Sequence, residues 1–302
     1  MAKFTNILLT GVNGQVGYEL QHSLSSLGKV HALDRNQLDL SNPDSIRKVV
    51  QSIKPDLIVN PAAYTAVDKA ESEPELANAI NAIAPRILAE EAEKLGAVMV
   101  HYSTDYVYDG TKPTPYVEND ATNPLSVYGK TKLAGEDAIR ATGVPHLILR
   151  TSWVYGARGK NFMNTILRLA AERENLRIVA DQFGAPTSSK AIAEATVSAL
   201  ANWTKDKSGT YHLTCEGMTS WHGFTQAIIE EYALLRESRH WPVLKAPVGN
   251  VLPITTADYP TPAARPINSK LNCDKLSTAF GLDLPDWSFS LKRVMAELAL
   301  NR

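Results

Sequence analysis

An α/β fold, with a doubly wound parallel sheet and a smaller C-terminal α/β lobe, is predicted by three features of the chain. Apolar runs of strand length alternate with helix-length amphipathic segments through the first half. The first run ends in a glycine-rich turn, Gly11, Gly14 and Gly17, which leads straight into a helical pattern. The second ends at Asp34, about twenty residues further on, where such folds place an acid for a ribose. Together these make the sheet Rossmann-type.

The elements follow in order. Ile7 to Thr10 is the first strand, and Val16 to Leu27 the helix after the turn. Glycines let the backbone approach a pyrophosphate, and the first free N–H groups and dipole of the helix face its charge. The turn has one residue more between its first two glycines than the usual dinucleotide pattern. Val30 to Leu33 is the second strand; Pro43 to Ile53 is helical, with Ser41 as its start. Leu57 to Asn60, Val98 to Ser103 and His146 to Arg150 complete the strand set, separated by helices at Leu76 to Leu95 and Lys130 to Ala141. Right-handed crossovers then place helices on both faces.

Beyond Tyr155 the pattern loosens. A helix at Phe162 to Glu174, a strand at Arg177 to Ala180, a helix at Lys190 to Asn202 and a strand at Thr210 to Thr214 are expected to extend the sheet and begin a cap. The division is therefore a dinucleotide domain over 1–155, with part of 156–240 returning to the sheet, and a lobe over 156–302. Six prolines between Trp241 and Asn268 exclude a regular helix or central strand and predict a long ordered loop or mobile lid.

Composition excludes several classes of function. A chain of 302 residues with 44% hydrophobic and 21% charged residues has ample core. A net charge of -1 without a long Lys/Arg run gives no footprint for nucleic acid or an anionic membrane. No apolar run reaches spanning length, and Met1 to Leu9 is taken up by the first strand rather than forming a signal peptide. Cys215 and Cys273 form no Cys-x-x-Cys pair, and the seven histidines show no close ligand spacing. A cytoplasmic protein without a histidine metal site is expected.

Tyr128 and Lys132 stand four apart, so on a helix they share one face. A phenol titrates near 10, and a neighbouring ammonium is expected to draw it toward the operating pH for acid or base work. Thr104, at the carboxyl end of the fourth strand, is placed to hydrogen-bond an oxygen that becomes an alkoxide.

The motifs Thr10-Gly11-x-x-Gly14-x-x-Gly17, Asn60-Pro61-Ala62-Ala63, Ser103-Thr104-Asp105-Tyr106-Val107-Tyr108 and Tyr128-Gly-Lys-Thr-Lys132 resemble the extended short-chain dehydrogenase/reductase superfamily. Within it, Asp39-Leu40-Ser41, the run from Ala63 to Glu71, Arg150 to Gly156, Asp181 to Thr187 and Tyr259 to Pro266 resemble the dTDP-4-dehydrorhamnose reductase family over nearly the whole chain.

The resemblance implies reduction of the C4 keto group of dTDP-4-dehydro-L-rhamnose by NADPH or NADH. The product would be dTDP-L-rhamnose for surface polysaccharide such as the O antigen of lipopolysaccharide. It implies Gly11, Gly14, Gln15, Val16 and Gly17 at the pyrophosphate, Asp34 and Arg35 at the adenosine ribose, and Asp39 and Leu40 at the adenine. Ala62, Ala63, Tyr64, Thr65 and Tyr102 would follow the cofactor toward the nicotinamide. Tyr128 would donate the proton, Lys132 would lower its pKa and hold the ribose, and Thr104, Asp105 and Trp153 would meet the deoxysugar. The Pro-rich segment would close over the nucleotide.

Dehydratases similar to this chain carry Asp-Glu after the threonine; here Asp105 is followed by Tyr106, which favours simple reduction. Some family members join subunits through Mg2+ held by glutamates. Glu19 and Glu297 could serve, but Lys190 stands where a third acid is expected and argues against a metal-bridged dimer. Monomer and homodimer both stay open. Asp34 favours NADH and Arg35 favours NADPH, so dual use is expected. The competing readings are a sugar-nucleotide epimerase of the same fold and a non-catalytic regulatory subunit.

Overall fold

The computed structural model describes residues 3–300. Met1 and Ala2, the start of the segment read above as no signal peptide, lie outside the described residues.

Six parallel strands form the main sheet, in the order Gly209–His212, His146–Thr151, Val98–Thr104, Leu57–Asn60, Asn6–Leu9, Lys29–Ala32. The chain starts one strand in from an edge, adds the edge strand, and then winds back across to the other edge, and so makes a doubly wound sheet with a switch point beside the first strand. The inner strands are apolar on both sides because both faces are covered. Ile7 and Leu9 pack on one face with Leu57, Val59, Val100 and Leu147, while Leu8, Ile58, Met99 and Ile148 pack on the other. Period-two alternation thus feeds two cores.

Several element ends differ from expectation. Asn42, not Ser41, caps the helix Pro43–Ile53: its side chain accepts from the Asp44 and Ser45 N–H groups. The long helix expected over Leu76 to Leu95 is split into Pro74–Asn78, a π-helical turn Ala79–Ile83 and Ala84–Leu95. The cause is Asn81, whose Oδ1 accepts from the Tyr64 N–H at 2.8 Å and whose Nδ2 donates to the Tyr64 carbonyl and the Thr131 hydroxyl. Gly135 lets the helix Val127–Thr142 lie against that turn, since a Cβ there would sit 2.2 Å from the Asn81 carbonyl oxygen.

The strand expected at Arg177 to Ala180 forms as Leu176–Val179 but does not extend the main sheet. It pairs in parallel with Val251–Ile254, a strand inside the Pro-rich stretch. Pro253 is accommodated because a two-stranded sheet has only edges. The second lobe closes around Tyr155, Phe224, Tyr232 and Met295, carried in part by the helices Trp221–Arg239 and Trp287–Leu300, which sequence reading leaves unassigned.

Candidate active site

A cleft of about 620 Å³ runs along the carboxyl ends of the strands and is walled on its far side by the second lobe. The fold explains its position. Each parallel strand hands its chain to a loop at this edge, so residues distant in sequence converge there.

At one end is the glycine turn. Gly11 adopts φ +60, a conformation that favours glycine, and a Cβ on it would meet that of Ala62 at 2.8 Å. A Cβ on Gly17 would sit 2.2 Å from the Gly11 carbonyl oxygen. The helix Gln15–Ser23 begins at Gly14 with no side-chain cap, leaving its first N–H groups free for an anion. Gln15 is also tied across the cleft: its Oε1 accepts from Asn161 Nδ2 at 3.0 Å.

At the other end are the groups for proton chemistry. Tyr128 and Lys132 lie in the first turns of Val127–Thr142, a helix capped by the Ser126 hydroxyl on the Gly129 N–H. The Lys132 ammonium is buried, 2.5 Å from the Tyr102 carbonyl oxygen and 3.2 Å from His101 Nε2. Burial lowers its pKa to about 8 against the opposing pull of Glu136, one turn on. Glu136 itself is held ionised by Arg150, which grips it at 2.9 and 2.6 Å.

Tyr128 departs from expectation. Its phenol is pushed up to about 12 rather than drawn down, because burial dominates and the Asp105 charge adds to it, while the Thr104 hydroxyl bond opposes. Lys132 does not reverse this; its nitrogen is turned toward Tyr102 and His101. Asp105 is raised to about 6 by burial, against a 3.1 Å bond from the Thr104 hydroxyl to its Oδ1. The Tyr106 ring meets Tyr128 edge to face, with centroids 5.4 Å apart.

Trp153 forms the far wall. Its backbone is left-handed, with φ 50, and its indole stacks on Trp221 with centroids 3.5 Å apart. Gly184 makes room for it, since a Cβ there would lie 2.7 Å from Trp153 Cε2. Trp221 Nε1 donates to Gln182, Gln182 donates to Thr256, and the Thr256 hydroxyl donates to Asp181. That chain ties the wall to the Pro-rich segment, which is latched to the first lobe by Arg265 on Asp68 at 2.8 Å.

The structure therefore gathers Gly11, Gly14, Gln15, Val16, Gly17, Ala62, Ala63, Thr65, Tyr102, Thr104, Asp105, Tyr128, Lys132 and Trp153 around one cleft. Five other residues assigned to the cofactor do not line it. Asp34 accepts from the Asn36 and Gln37 N–H groups, and Arg35 beside it is exposed. Asp39 turns onto the Ser41 N–H and hydroxyl. Leu40 is buried in the core cluster with Leu8 and Ile46, because a leucine at that register completes the apolar face. Tyr64 points its hydroxyl at Glu73, 2.6 Å away.

Sequence reading missed Asn81, Trp221 and Asn161. A lone asparagine or tryptophan carries no local signal for such a role.

The family profile described as "RmlD substrate binding domain" matches residues 5–300. A dTDP-4-dehydrorhamnose reductase of Burkholderia thailandensis is 47% identical over 300 residues, covering 97% of this chain and 98% of that protein. The chain belongs to the dTDP-4-dehydrorhamnose reductase family. Among solved members, the reductase of Clostridium acetobutylicum is 38% identical with a TM-score of 0.89, covering 97% of this chain and 99% of its own. That of Bacillus anthracis, solved in complex with NADP, is 36% identical with a TM-score of 0.89, covering 98% and 100%.

The family's cofactor fits the residues present. The uncapped helix start and the glycine cradle suit a pyrophosphate, and Thr151 Oγ1, on the cleft, is buried without a protein partner. The residues named above for a bridging Mg2+ do not suit one. Lys190 Nζ lies 3.4 Å from Glu297 Oε2, an ammonium where a third acid would be needed, and the Glu19 carboxyl is raised by burial and by the Glu297 charge, against the pull of Lys190. Among the described residues no group of three acids, histidines or cysteines is placed to hold a metal.

Proposed function

We propose that this protein reduces the C4 keto group of dTDP-4-dehydro-L-rhamnose to give dTDP-L-rhamnose, using NADPH or NADH, as the last step of dTDP-rhamnose synthesis. The observation that carries this is the meeting of Thr104, Tyr128 and Lys132 at one end of the cleft whose other end is the glycine turn. A nicotinamide cofactor held along the cleft from the glycine turn would supply the hydride for the carbonyl carbon.

The chain's own residues handle the oxygen. With a proton affinity near 12, Tyr128 is protonated at neutral pH and donates its O–H to the carbonyl oxygen, which needs it only as negative charge develops. Thr104 offers a second hydroxyl at the same place. Lys132, one helical turn on and lowered to about 8 by burial, would hold the cofactor ribose. Trp153, held by Trp221 and Gly184, gives the sugar a rigid apolar wall.

Asp34 and Arg35 at the adenosine ribose, Asp39 and Leu40 at the adenine, and Tyr64 on the way to the nicotinamide belong to this proposal through the family likeness. The partner is a dTDP-sugar, the location the cytoplasm, and the protein a monomer or homodimer without bridging magnesium. Among the described residues no helix is long and apolar enough to cross a membrane.

Stoichiometry separates this reading from an epimerase of the same fold. When the keto sugar is generated in situ, one reduced nicotinamide should be oxidised per dTDP-L-rhamnose formed. Product formation with no net oxidation, from protein carrying tightly bound NAD, would point to the epimerase.

A further inference from the structure

Behind Lys132 lies a run of buried polar groups that the reduction as described does not use. The Thr10 hydroxyl lies 2.6 Å from Asn60 Oδ1, Asn60 Nδ2 lies 3.1 Å from His101 Nδ1, and His101 Nε2 lies 3.2 Å from Lys132 Nζ. Asn60 and His101 are fully buried, and Thr10 and Lys132 are 1% exposed. The run crosses three adjacent strands and ends on the helix that carries Tyr128.

Its direction follows from hydrogen-bond chemistry. A contact of 2.6 Å is ordinary for O–H···O and short for N–H···O. Thr10 therefore donates to the amide oxygen, which turns the Asn60 amino group toward His101. Asn60 then donates to Nδ1, so a neutral imidazole carries its hydrogen on Nε2. That hydrogen faces Lys132 Nζ. An ammonium has three donors and no lone pair, so it cannot accept it; a neutral amine can.

We propose that Thr10, Asn60 and His101 form a one-directional hydrogen-bond chain that favours the neutral amine of Lys132 and so sets the proton affinity of the lysine one helical turn from Tyr128. His101 and Asn60 are positioning residues: they act on the reaction through Lys132. When Lys132 Nζ gives up a proton to solvent, the vacated lone pair accepts the His101 Nε2–H. Reprotonating Lys132 from solvent restores the starting state, against the polarity of the chain.

The other charges around Lys132 are accounted for. Glu136, on the same helix, favours the ammonium but is itself paired with Arg150 from the next strand and with Arg140. From the strand Val98–Thr104, Tyr102 contributes its carbonyl, and its own phenol is fully protonated by burial. Asp105 acts on Tyr128. Among the described residues that touch the Lys132 nitrogen, only His101 offers it a hydrogen.

The inference rests on Lys132 working beside Tyr128, and its test does not need turnover. In protein labelled with ¹⁵N-histidine, the ring nitrogens of His101 at pH 9 should show hydrogen on Nε2 and a bare Nδ1; hydrogen on Nδ1 overturns the proposal. Thr10→Val, which keeps the shape and removes the donor, should raise the Lys132 titration followed at its ε-carbon by about half a unit, a threefold gain in proton affinity. An unchanged titration also overturns it. An inactive protein that passes both tests would fault the reductase reading and leave this chain standing.

Discussion

The two walls of the cleft are built by opposite means. The wall on the sheet is made of short local motifs: a glycine turn at the end of one strand, Thr104 at the end of another, and Tyr128 and Lys132 one turn apart on one helix. The wall on the second lobe is made of contacts between distant segments: Trp153 on Trp221, Trp221 on Gln182, Gln182 on Thr256. Backbone geometry fixes the first, and side-chain stacking with hydrogen bonds fixes the second. The first wall should fail abruptly when a single atom is added or removed, and the second should weaken by degrees.

The largest expected effect is on the sheet wall. Tyr128→Phe removes one oxygen and should lower turnover ~10²- to 10⁴-fold, the usual worth of a positioned general acid. Titration of NADPH should show its affinity nearly unchanged. Equal losses in binding and turnover would mean that the phenol positions the cofactor instead.

Gly17→Ala adds one carbon at 2.2 Å from the Gly11 carbonyl oxygen, so the turn must open. We expect abolished cofactor binding and a stability loss of ~1–3 kcal/mol, the range for overpacking, read by thermal melting with and without NADPH. On the opposite wall, Trp221→Ala removes a ring stack worth about 0.5–1.5 kcal/mol. It should raise KM for the sugar nucleotide about 3- to 10-fold with kcat largely kept. A collapse of kcat there would erase the contrast between the walls.

A smaller effect concerns Arg35, which is exposed and so acts through a screened charge. Arg35→Ala should weaken NADPH about 2- to 5-fold, in line with an exposed ion pair, and leave NADH nearly untouched. Equal losses would remove Arg35 from the phosphate.

The base of the sheet wall also sets a pH limit. His212, bonded to Tyr108 at 2.9 Å, is pushed down to about 3, chiefly by burial and then by the Arg150 charge. The folded protein keeps it neutral while the unfolded chain takes up a proton below about 6.5. Stability should therefore fall as pH drops from about 6.5 toward 3, and His212→Gln should flatten that slope in urea titrations.

What could be read from the sequence follows the same division. Alternation of Ile7, Leu8 and Leu9 between two faces, the glycine turn, and Tyr128 four before Lys132 are short-range patterns, so the sheet and most of one wall were readable. Trp153 could be named through its family motif, but nothing local shows that Trp221 orders it. The π-helical turn at Asn81 and the strand containing Pro253 depend on partners far along the chain. Tyr128 was misjudged for a related reason: spacing gives the distance to Lys132 along a helix, while burial, which governs its proton affinity, comes from the whole fold.

Carbonyl reduction with Tyr128 as the proton donor is tested most directly by following a label. The protein is given dTDP-4-dehydro-L-rhamnose made in situ and NADPH carrying deuterium at the transferred position, and the nucleotide sugar is isolated for mass and NMR analysis. Carbonyl reduction should give dTDP-L-rhamnose one mass unit heavier, with deuterium at C4 and one NADP⁺ formed per sugar. Unlabelled sugar product with the NADPH still reduced would contradict it.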